Sequence, residues 1–201
     1  QLVTTEDEAR DLLEQLKKAD RIAFDTETAA FDGHESTEAH FCKLVGFSFA
    51  TAPGKAWYVT ADQIDVFRPL FADPSKTFVG HNVKFDRSVL HRYGIGFASV
   101  PHDTMLAHYI IQPELRHNLD YLAEIYLNYQ TIHIDELIGP KGRGQKSMAD
   151  LAPADVVDYA CEDADVAMRL MPLLEKELRD NAALNLFQQI EMPLMPVLAR
   201  M

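Results

Sequence analysis

The segment 21–28, RIAFDTET, decides the fold class of this chain. Three apolar residues, Ile22 to Phe24, run directly into an acidic pair, Asp25 and Glu27. Residues two apart on a strand point to the same side, so an apolar strand that ends here would present both carboxylates where a sheet opens into loops. Ionised acids held near a core are costly unless a cation or a proton compensates them. We therefore expect a divalent metal at this pair.

Two later segments supply further acids against apolar sequence, Asp86 in HNVKFD and Asp163 in YACED, with Tyr159 four residues before Asp163. On a helix, that spacing puts Tyr159 and Asp163 on one face. Each residue also has a purely structural interpretation. Asp86 could be a first-turn helix acid, Asp163 a solvated acid, and Tyr159 a half-buried packing residue. Only the combination of the three segments indicates a site.

The acidic pair alone is a weak signal, because a chain with 31 acids contains roughly five acid-x-acid pairs by chance. Four acids together suit a pair of Mg²⁺ ions, which prefer carboxylate and water oxygens and can stabilise both oxygens of a phosphoryl displacement. A glycosidase would need only two carboxyls, and a zinc hydrolase would show a histidine pair such as H-E-x-x-H. The sequence has neither that histidine motif nor a phosphate-binding G-x-x-x-x-G-K-[ST] loop.

Composition favours one domain with a single core, since 47% of the 201 residues are hydrophobic. The two cysteines, Cys42 and Cys161, have no local partner spacing, so a reducing cytoplasm fits better than a disulfide framework. A net charge of −12 argues against a large phosphate-binding surface but allows a small metal-neutralised site. The chain starts at Gln1 and lacks a leader or a membrane-length apolar run. We expect an excised fragment with no membrane partner.

Periodicity predicts strands interspersed with helices, which is typical of an α/β layered fold. Pro153 is suited to the first turn of a long helix, which we expect Pro172 to kink or interrupt. The predicted helices are about 6–18, 84–93, 104–111, 119–127 and a long one from 153. The predicted strands are about 21–26, 43–50, 56–60 and 77–80.

Three motifs follow one another along the chain, Asp25-x-Glu27, Asn82-x-x-x-Asp86 and Tyr159-x-x-x-Asp163. In this order they resemble the motifs of the DEDD exonuclease superfamily, tyrosine subclass. Longer stretches are more specific, namely FDTET, VGHNVKFDRSVL, HDTMLAHYI, RHNLDYLAE, YACEDADV and IEMPLMPVLARM. These stretches resemble the 3′–5′ proofreading exonuclease domain of bacterial family A DNA polymerases over nearly the whole chain.

The resemblance implies a ribonuclease H-like α/β fold with a mixed five-stranded sheet flanked by helices. It implies an exonuclease domain over residues 1–190, with residues 191–201 as the start of a truncated polymerase region. The implied activity is removal of nucleoside 5′-monophosphates from the 3′ end of DNA. The implied partners are a single-stranded DNA 3′ end and a covalently linked polymerase domain, and we expect a monomer.

The resemblance also implies a role for each motif residue. Asp25, Glu27 and Asp163 would hold the tighter of two divalent metal ions. Asp25 would bridge to the second ion, which Asp86 approaches largely through water, and Tyr159 would orient the attacking water. Mg²⁺ is the expected metal, with Mn²⁺ and Zn²⁺ as alternatives.

Substrate contacts are implied for five residues, namely Thr26, Phe31, Asn82, Phe85 and Arg116. Phe31 would wedge against the terminal base, Asn82 and Phe85 would contact the last nucleotides, and Arg116 would meet a phosphate. The structural alternatives are that Phe31 and Phe85 are core aromatics and that Arg116 pairs with a surface acid.

The chain departs from the family at two positions, with Ile134 in place of a base-wedging aromatic residue and His81 in place of a glutamine. Reduced stacking predicts weak binding of single-stranded DNA by the isolated chain. His81 has a competing interpretation as a metal ligand. The basic loop with Lys141, Arg143 and Lys146 is either a DNA backbone contact or a solvated loop.

Two other functions remain open at this point. The same acid pattern occurs in stand-alone exoribonucleases resembling ribonuclease D, although the segment 191–201 resembles the entrance to a polymerase region. A scaffold that no longer binds metal is the alternative without enzymatic activity, and the presence of every expected acid argues against it.

Overall fold

The computed structural model describes residues 1–142 and 144–200, and its centre is a mixed β-sheet. Its strands are β1 (Leu2–Val3), β2 (Arg21–Ala30), β3 (Cys42–Ala52), β4 (Lys55–Thr60), β5 (Thr77–Gly80) and β6 (His102–Asp103), in the spatial order β1-β4-β3-β2-β5-β6. The predicted count of five strands is wrong, because the described sheet has six. Both edge strands contain only two residues, too few for an alternating pattern to be visible in the sequence.

The helices flank this sheet on both faces. They are α1 (Glu6–Leu16), α2 (Arg68–Phe71), α3 (Val83–His91), α4 (Thr104–Ile111), α5 (Leu119–Leu127), α6 (Ile134–Ile138), α7 (Pro153–Asp180), α8 (Leu184–Leu186) and α9 (Met192–Leu198). The Thr5–Glu8 capping box starts α1, because Thr5 accepts from the Glu8 N–H while the Glu8 carboxylate accepts from the Thr5 N–H. Within the described ranges, no helix is both long and apolar enough to cross a membrane.

Helix α7 continues through Pro172, so of the two predicted outcomes, a kink or an interruption, the interruption is wrong. A proline inside a helix removes one backbone donor and crowds the preceding turn. Here the residues around it are buried on the sheet side, and this packing outweighs the local cost. The buried neighbours are Met168, Leu170, Met171 and Leu174.

The central pairing is the antiparallel hairpin of β2 and β3, in which Asp25 lies opposite Ser48 and Glu27 opposite Gly46. The sequence predicted that β2 ends near Thr26, but the strand continues to Ala30 because β3 pairs with it throughout. Parallel strand β5 pairs with β2 only as far as Ala23. The acidic pair therefore lies beyond the end of β5, where the sheet narrows, and not at the end of its own strand.

The face of the sheet toward α1, α2 and α3 is filled by large aromatic side chains. Phe24 makes edge contacts with Phe71 and Phe78, with ring centroids 6.3 Å and 5.8 Å apart. Phe97 closes the group at 4.9 Å from Phe24. Such geometry adds stabilisation beyond simple area burial, so this face forms the main core.

The opposite face carries small side chains on β2 and β3, with Tyr58 of β4 beside them, and α7 packs across it. Ala23 of β2 and Ala50 of β3 are fully buried in the same cluster as Ala164 and Ala167 of α7. Alanines on both surfaces let the helix lie close to the sheet. The consequence is that residues on this side of α7 come within reach of the side chains of β2.

Candidate metal centre

Three carboxylates from two distant segments converge on the α7 side of the sheet. Asp25 and Glu27 project from β2, and Asp163 projects from α7. One carboxylate oxygen of each lies within 4.8 Å of the others. The alternation of β2 sends Asp25 and Glu27 toward the helix, and the small residues between helix and sheet allow Asp163 to reach them.

The fourth acid, Asp86, adjoins this group from the first turn of α3. Its Oδ1 accepts a hydrogen bond from Thr26 Oγ1 at 2.5 Å, and Thr26 lies between Asp25 and Glu27 in the sequence. Asp86 is a first-turn helix acid, as its structural interpretation had it, but at 3% exposure it is buried beside the other acids. Its negative charge also raises the pKa of both Asp25 and Glu27.

Asp103 fixes the start of α3 and therefore the position of Asp86. Its buried carboxylate accepts from the N–H groups of Asn82 at 3.1 Å and Val83 at 2.8 Å, and it also caps α4 through the Met105 N–H at 2.8 Å. One acid thus serves the first turns of two helices. Sequence reasoning missed this role, and the available signal was an Asp directly before the predicted helix 104–111.

None of the salt bridges formed by the described residues involves these four acids. Burial raises the pKa of Asp86 to about 7, and burial together with the charges of Glu162 and Asp120 raises the pKa of Asp163 to about 8. The pKa values of Asp25 and Glu27 also lie well above their ordinary range, first because of burial and then because of the neighbouring acids.

The unpaired oxygens of the site match the requirements of a hard cation. Glu27 Oε1 and Asp86 Oδ2 are buried and have no hydrogen-bond partner among the described residues. An orphaned buried carboxylate oxygen is costly unless something binds it. A set of donors made only of carboxylate oxygens fits Mg²⁺ or Mn²⁺, and the acids present therefore fit a divalent metal.

Tyr159 lies one turn before Asp163 on the same face of α7, as its spacing predicted. Burial, followed by the charges of Asp163 and Glu27, raises the pKa of its hydroxyl far above the ordinary value. Tyr159 is therefore a neutral phenol beside the acids, able to donate and accept hydrogen bonds.

The expected substrate residues surround the acids but differ in exposure. Phe31 is 40% exposed, which contradicts its interpretation as a core aromatic, and the Arg92 guanidinium lies 4.9 Å from its ring centroid. Phe85 is half-buried against the aromatic core and lines a cavity with Asn82. Thr26 is buried, and its hydroxyl is committed to Asp86.

Arg116 is exposed and lines a polar groove of 220 Å³, and the part of the chain that the structure describes contains no ion pair to its guanidinium. Ile134 is 44% exposed at the first residue of α6. His81 is outside the three-acid group, its Nδ1 lies 2.8 Å from Thr104 Oγ1, and burial lowers its pKa to about 4. The prediction for the basic loop includes Arg143, which lies outside the described residues.

Sequence reasoning also missed the tight packing around Glu27. A Cβ atom at Gly46, opposite Glu27, would lie 2.3 Å from the Tyr58 hydroxyl, so only glycine leaves room for the Tyr58 ring. The available signal was a glycine inside a strand pattern, which often marks close approach. Glu162 and Asp120, whose charges act on Asp163, were likewise not singled out.

Comparison with known proteins finds relatives over nearly the whole chain. The profile of a 3′–5′ exonuclease family matches residues 1–179. DNA polymerase I of Pseudomonas aeruginosa is 37% identical over 206 residues, covering 94% of this chain and 22% of the relative. DNA polymerase I of Treponema pallidum is 38% identical over 177 residues, covering 87% of this chain and 17% of the relative. The chain thus spans about a fifth of the length of the curated relatives it matches.

Solved structures share the fold at low identity. Pol1 of M. smegmatis, in complex with DNA primer-template and dNTP, superposes with a TM-score of 0.75 at 19% identity, over 100% of this chain and 31% of that chain. Escherichia coli RNase D, an exoribonuclease, gives a TM-score of 0.75 at 18% identity, over 100% of this chain and 50% of that chain. These likenesses confirm the ribonuclease H-like α/β fold. The chain belongs to the 3′–5′ exonuclease family that is found in bacterial DNA polymerase I.

Proposed function

We propose that this chain is the 3′–5′ exonuclease domain of a DNA polymerase I-type enzyme and removes nucleoside 5′-monophosphates from the 3′ end of single-stranded DNA. The observation that carries the proposal is the convergence of Asp25, Glu27 and Asp163, with Asp86 held beside them by Thr26. A family member with degenerate function would not need to keep four acids, two of them buried and two half-buried, that repel one another without a salt bridge among the described residues.

In this proposal Asp25, Glu27 and Asp163, with Asp86 beside them, would hold the divalent metal. Bound metal would supply an activated water and neutralise the charge that develops on the attacked phosphate. The oxygen-only donors favour Mg²⁺, with Mn²⁺ as a close substitute and Zn²⁺ as a third possibility.

Tyr159 would position the attacking water by a hydrogen bond. Its raised pKa keeps the phenol protonated at neutral pH, so it does not serve as the base. Helix α7 carries both Tyr159 and Asp163, and its close packing on the sheet fixes their distance from β2. Positioning of this kind is a large part of catalysis in phosphoryl transfer.

For the DNA strand, Phe31 would wedge against the terminal base, and Asn82 and Phe85 would contact the last nucleotides. The exposed ring of Phe31 and the cavity beside Asn82 support this assignment. Arg116 would meet a phosphate, and Thr26 would act at the substrate end of the site while holding Asp86. With Ile134 in place of an aromatic residue, we expect weak binding of single-stranded DNA at 0.15 M salt by the isolated chain.

We further propose that residues 1–190 form the exonuclease domain and that 191–201 begin a covalently linked polymerase region, the chain itself being a monomer. Met192 and Met195 of α9 are buried in the two main cores, so the first residues of that region also complete the packing of the exonuclease domain.

The test is digestion of single-stranded DNA labelled at its 3′ end in the presence of Mg²⁺, with chelator and Asp163→Ala as controls. We expect release of mononucleotides that both controls abolish. RNA of the same sequence is the companion substrate, and faster digestion of RNA than DNA would favour the exoribonuclease alternative. Calorimetric titration with Mg²⁺ or Mn²⁺ addresses the scaffold alternative, because absence of binding and of digestion together would overturn the proposal.

A further inference from the structure

The segment that joins α5 to α6, residues 129–133, is anchored by carboxylates from two different helices. We call residues 129–133 the connecting segment. It has no regular secondary structure, so its path depends on these side-chain contacts. Asn128, which precedes it, has a left-handed backbone with φ of 49°, and this residue turns the chain out of α5.

The first anchor is Glu162, the residue directly before Asp163 on α7. One of its oxygens, Oε1, accepts from the Tyr129 hydroxyl at 2.6 Å, and the other, Oε2, accepts from the Ile132 N–H at 2.7 Å. Hydrogen bonds to an ionised acceptor are shorter and stronger than neutral ones. Both ends of the connecting segment are thus tied to the helix that carries Asp163.

The second anchor is Asp120 in the first turn of α5. Its Oδ1 accepts from the Thr131 hydroxyl at 2.9 Å, and its Oδ2 lies 3.3 Å from His133 Nδ1. Thr131 is buried, whereas the Tyr129 and His133 side chains on either side of it reach the surface. Glu162 therefore holds residues 129 and 132 of the connecting segment, and Asp120 holds residues 131 and 133.

The anchored segment forms one wall of the polar groove that contains Arg116. Across the groove, the other wall is built from the turn before α5 and from α5 itself. The lining residues are Arg116, Asn118, Asp120, Tyr121 and Glu124 on one side and Tyr129, Gln130, Thr131 and His133 on the other. One wall of the groove is tied to α7 next to the metal centre, because Glu162, which accepts from Tyr129 and Ile132, directly precedes Asp163.

Beyond the connecting segment, α6 packs against the Tyr159 side of α7. Leu137 belongs to the small apolar cluster that includes Val156, Ala160 and Tyr159. A shift of the connecting segment would therefore move both a groove wall and a neighbour of Tyr159.

We propose that Glu162 is a positioning residue, which holds the connecting segment so that its groove side can bind the nucleic-acid strand entering the metal centre. This inference rests on the proposed nuclease function for its substrate and on the hydrogen bonds above for its mechanism. Asp120 is the second anchor. The role is mechanical: Glu162 acts through the connecting segment and does not touch the reacting atoms.

The first readout is independent of activity. Hydrogen–deuterium exchange of the amides in 129–138 is compared in the wild type, Glu162→Ala and Glu162→Gln. The Ala variant removes both anchoring bonds, and we expect the exchange of the connecting segment to increase by about tenfold or more. The glutamine amide can still accept from Ile132 N–H and donate to the Tyr129 oxygen, so Glu162→Gln should restore protection. Unchanged exchange in Glu162→Ala would overturn the proposal.

The second readout separates anchoring from charge in the digestion of labelled single-stranded DNA. Both variants remove the same negative charge beside Asp163, so a difference between them reports the anchor. We expect Glu162→Ala to raise KM by about tenfold with a smaller change in kcat, and Glu162→Gln to stay close to wild type. Asp158→Ala, which removes an exposed acid from the same helix, is the matched control and should change neither.

Equal KM values for the Ala and Gln variants would overturn the proposal, because the effect would then belong to charge. If the wild type digests neither DNA nor RNA, the nuclease proposal fails while the exchange experiment still decides whether Glu162 anchors the segment. Thermal melting of each variant shows whether it is folded. If Glu162→Ala does not fold, the comparison of Glu162→Gln with the wild type still tests the proposal.

Discussion

The two faces of strand β2 are built for different purposes. Ile22 and Phe24 point into the aromatic core and are fully buried among its apolar side chains. Asp25 and Glu27 point to the other face, toward α7, where neighbouring acids raise the pKa of both and one oxygen of Glu27 has no hydrogen-bond partner among the described residues. Side chains that alternate along a single strand thus stabilise the fold on one face, whereas on the other face they are acids that repel one another.

The residue sizes on the two faces differ in the same sense. Large rings such as Phe71 and Phe78 fill the space under α2 and α3, whereas alanines such as Ala23 and Ala164 separate the sheet from α7. The charged face therefore depends on short distances between backbones, because Asp163 and Tyr159 can reach β2 only if α7 lies close.

The charged face should trade stability for activity. Asp25→Asn removes one acid from the centre, and we expect digestion of single-stranded DNA to fall by more than about a hundredfold, as for the loss of one preorganised electrostatic group. The same change relieves repulsion, so the melting temperature in chelator at pH 8 should rise. Asp32→Asn, an exposed acid just beyond β2, is the control. A lower melting temperature for Asp25→Asn would contradict the contrast.

The alanine spacing should set the position of α7. Ala164→Leu places a larger side chain between helix and sheet, and overpacking of this kind costs about 1–3 kcal/mol of unfolding free energy. Because the helix must shift outward, activity of the folded protein should fall by about tenfold or more, since small misplacements of catalytic groups are costly. Denaturant unfolding and steady-state digestion measure the two effects. Ala154→Leu, at an exposed position of α7, should show neither.

Metal-free protein should lose stability as pH rises. The pKa of Asp86 is about 7 and that of Asp163 is about 8 in the fold, against an ordinary value of 3.8, so the folded state holds protons that the unfolded state releases. The stability that these two bound protons give to the fold is therefore fully present below about pH 4. It is lost as pH rises through about 7 to 8.

This dependence of stability on pH is checked by thermal melting in chelator between pH 5 and 8. The ionic strength is kept constant so that screening of the charges does not change. Asp163→Asn should flatten the slope, and saturating Mg²⁺ should raise the melting temperature most at the alkaline end. A melting temperature in chelator that increases toward pH 8 would show that these acids are not protonated in the fold.

The aromatic face should affect stability alone. Phe24→Leu, one residue before Asp25, leaves a gap beside Phe78 and should cost about 1–3 kcal/mol of unfolding free energy. Activity per folded molecule should stay within about twofold, because the charged groups face the other way. Denaturant unfolding and digestion at a temperature below the transition give both numbers. A loss of activity comparable to that of Ala164→Leu would mean that the two faces are coupled.

Most regular elements could be predicted from the sequence. The strand 77–80 and the helices 104–111 and 119–127 have the bounds that periodicity gave, because their apolar patterns and end signals are local. The continuation of β2 to Ala30 and the passage of α7 through Pro172 were not predicted. Both result from packing against distant partners, which outweighs the local preference at those residues.

The candidate site divides in a similar way. The identity of the acids and of Tyr159 came from the sequence, since their motifs and order are those of the family. Glu162, Asp120 and Asp103 were missed because a hydrogen-bonded acid and a solvated acid look alike in a sequence with 31 of them. Gly46 was missed because its requirement comes from Tyr58 on a neighbouring strand.

By itself, the sequence determined the chemistry: which oxygen donors the chain can offer, in what order, and on which kind of element. Only the tertiary structure decided that Asp25, Glu27 and Asp163 meet within 4.8 Å and that Asp86 joins them through Thr26. The physical reason is that residue type and local periodicity are properties of short segments. Distances between segments are set by the volume of the side chains packed between them, here the alanines beneath α7.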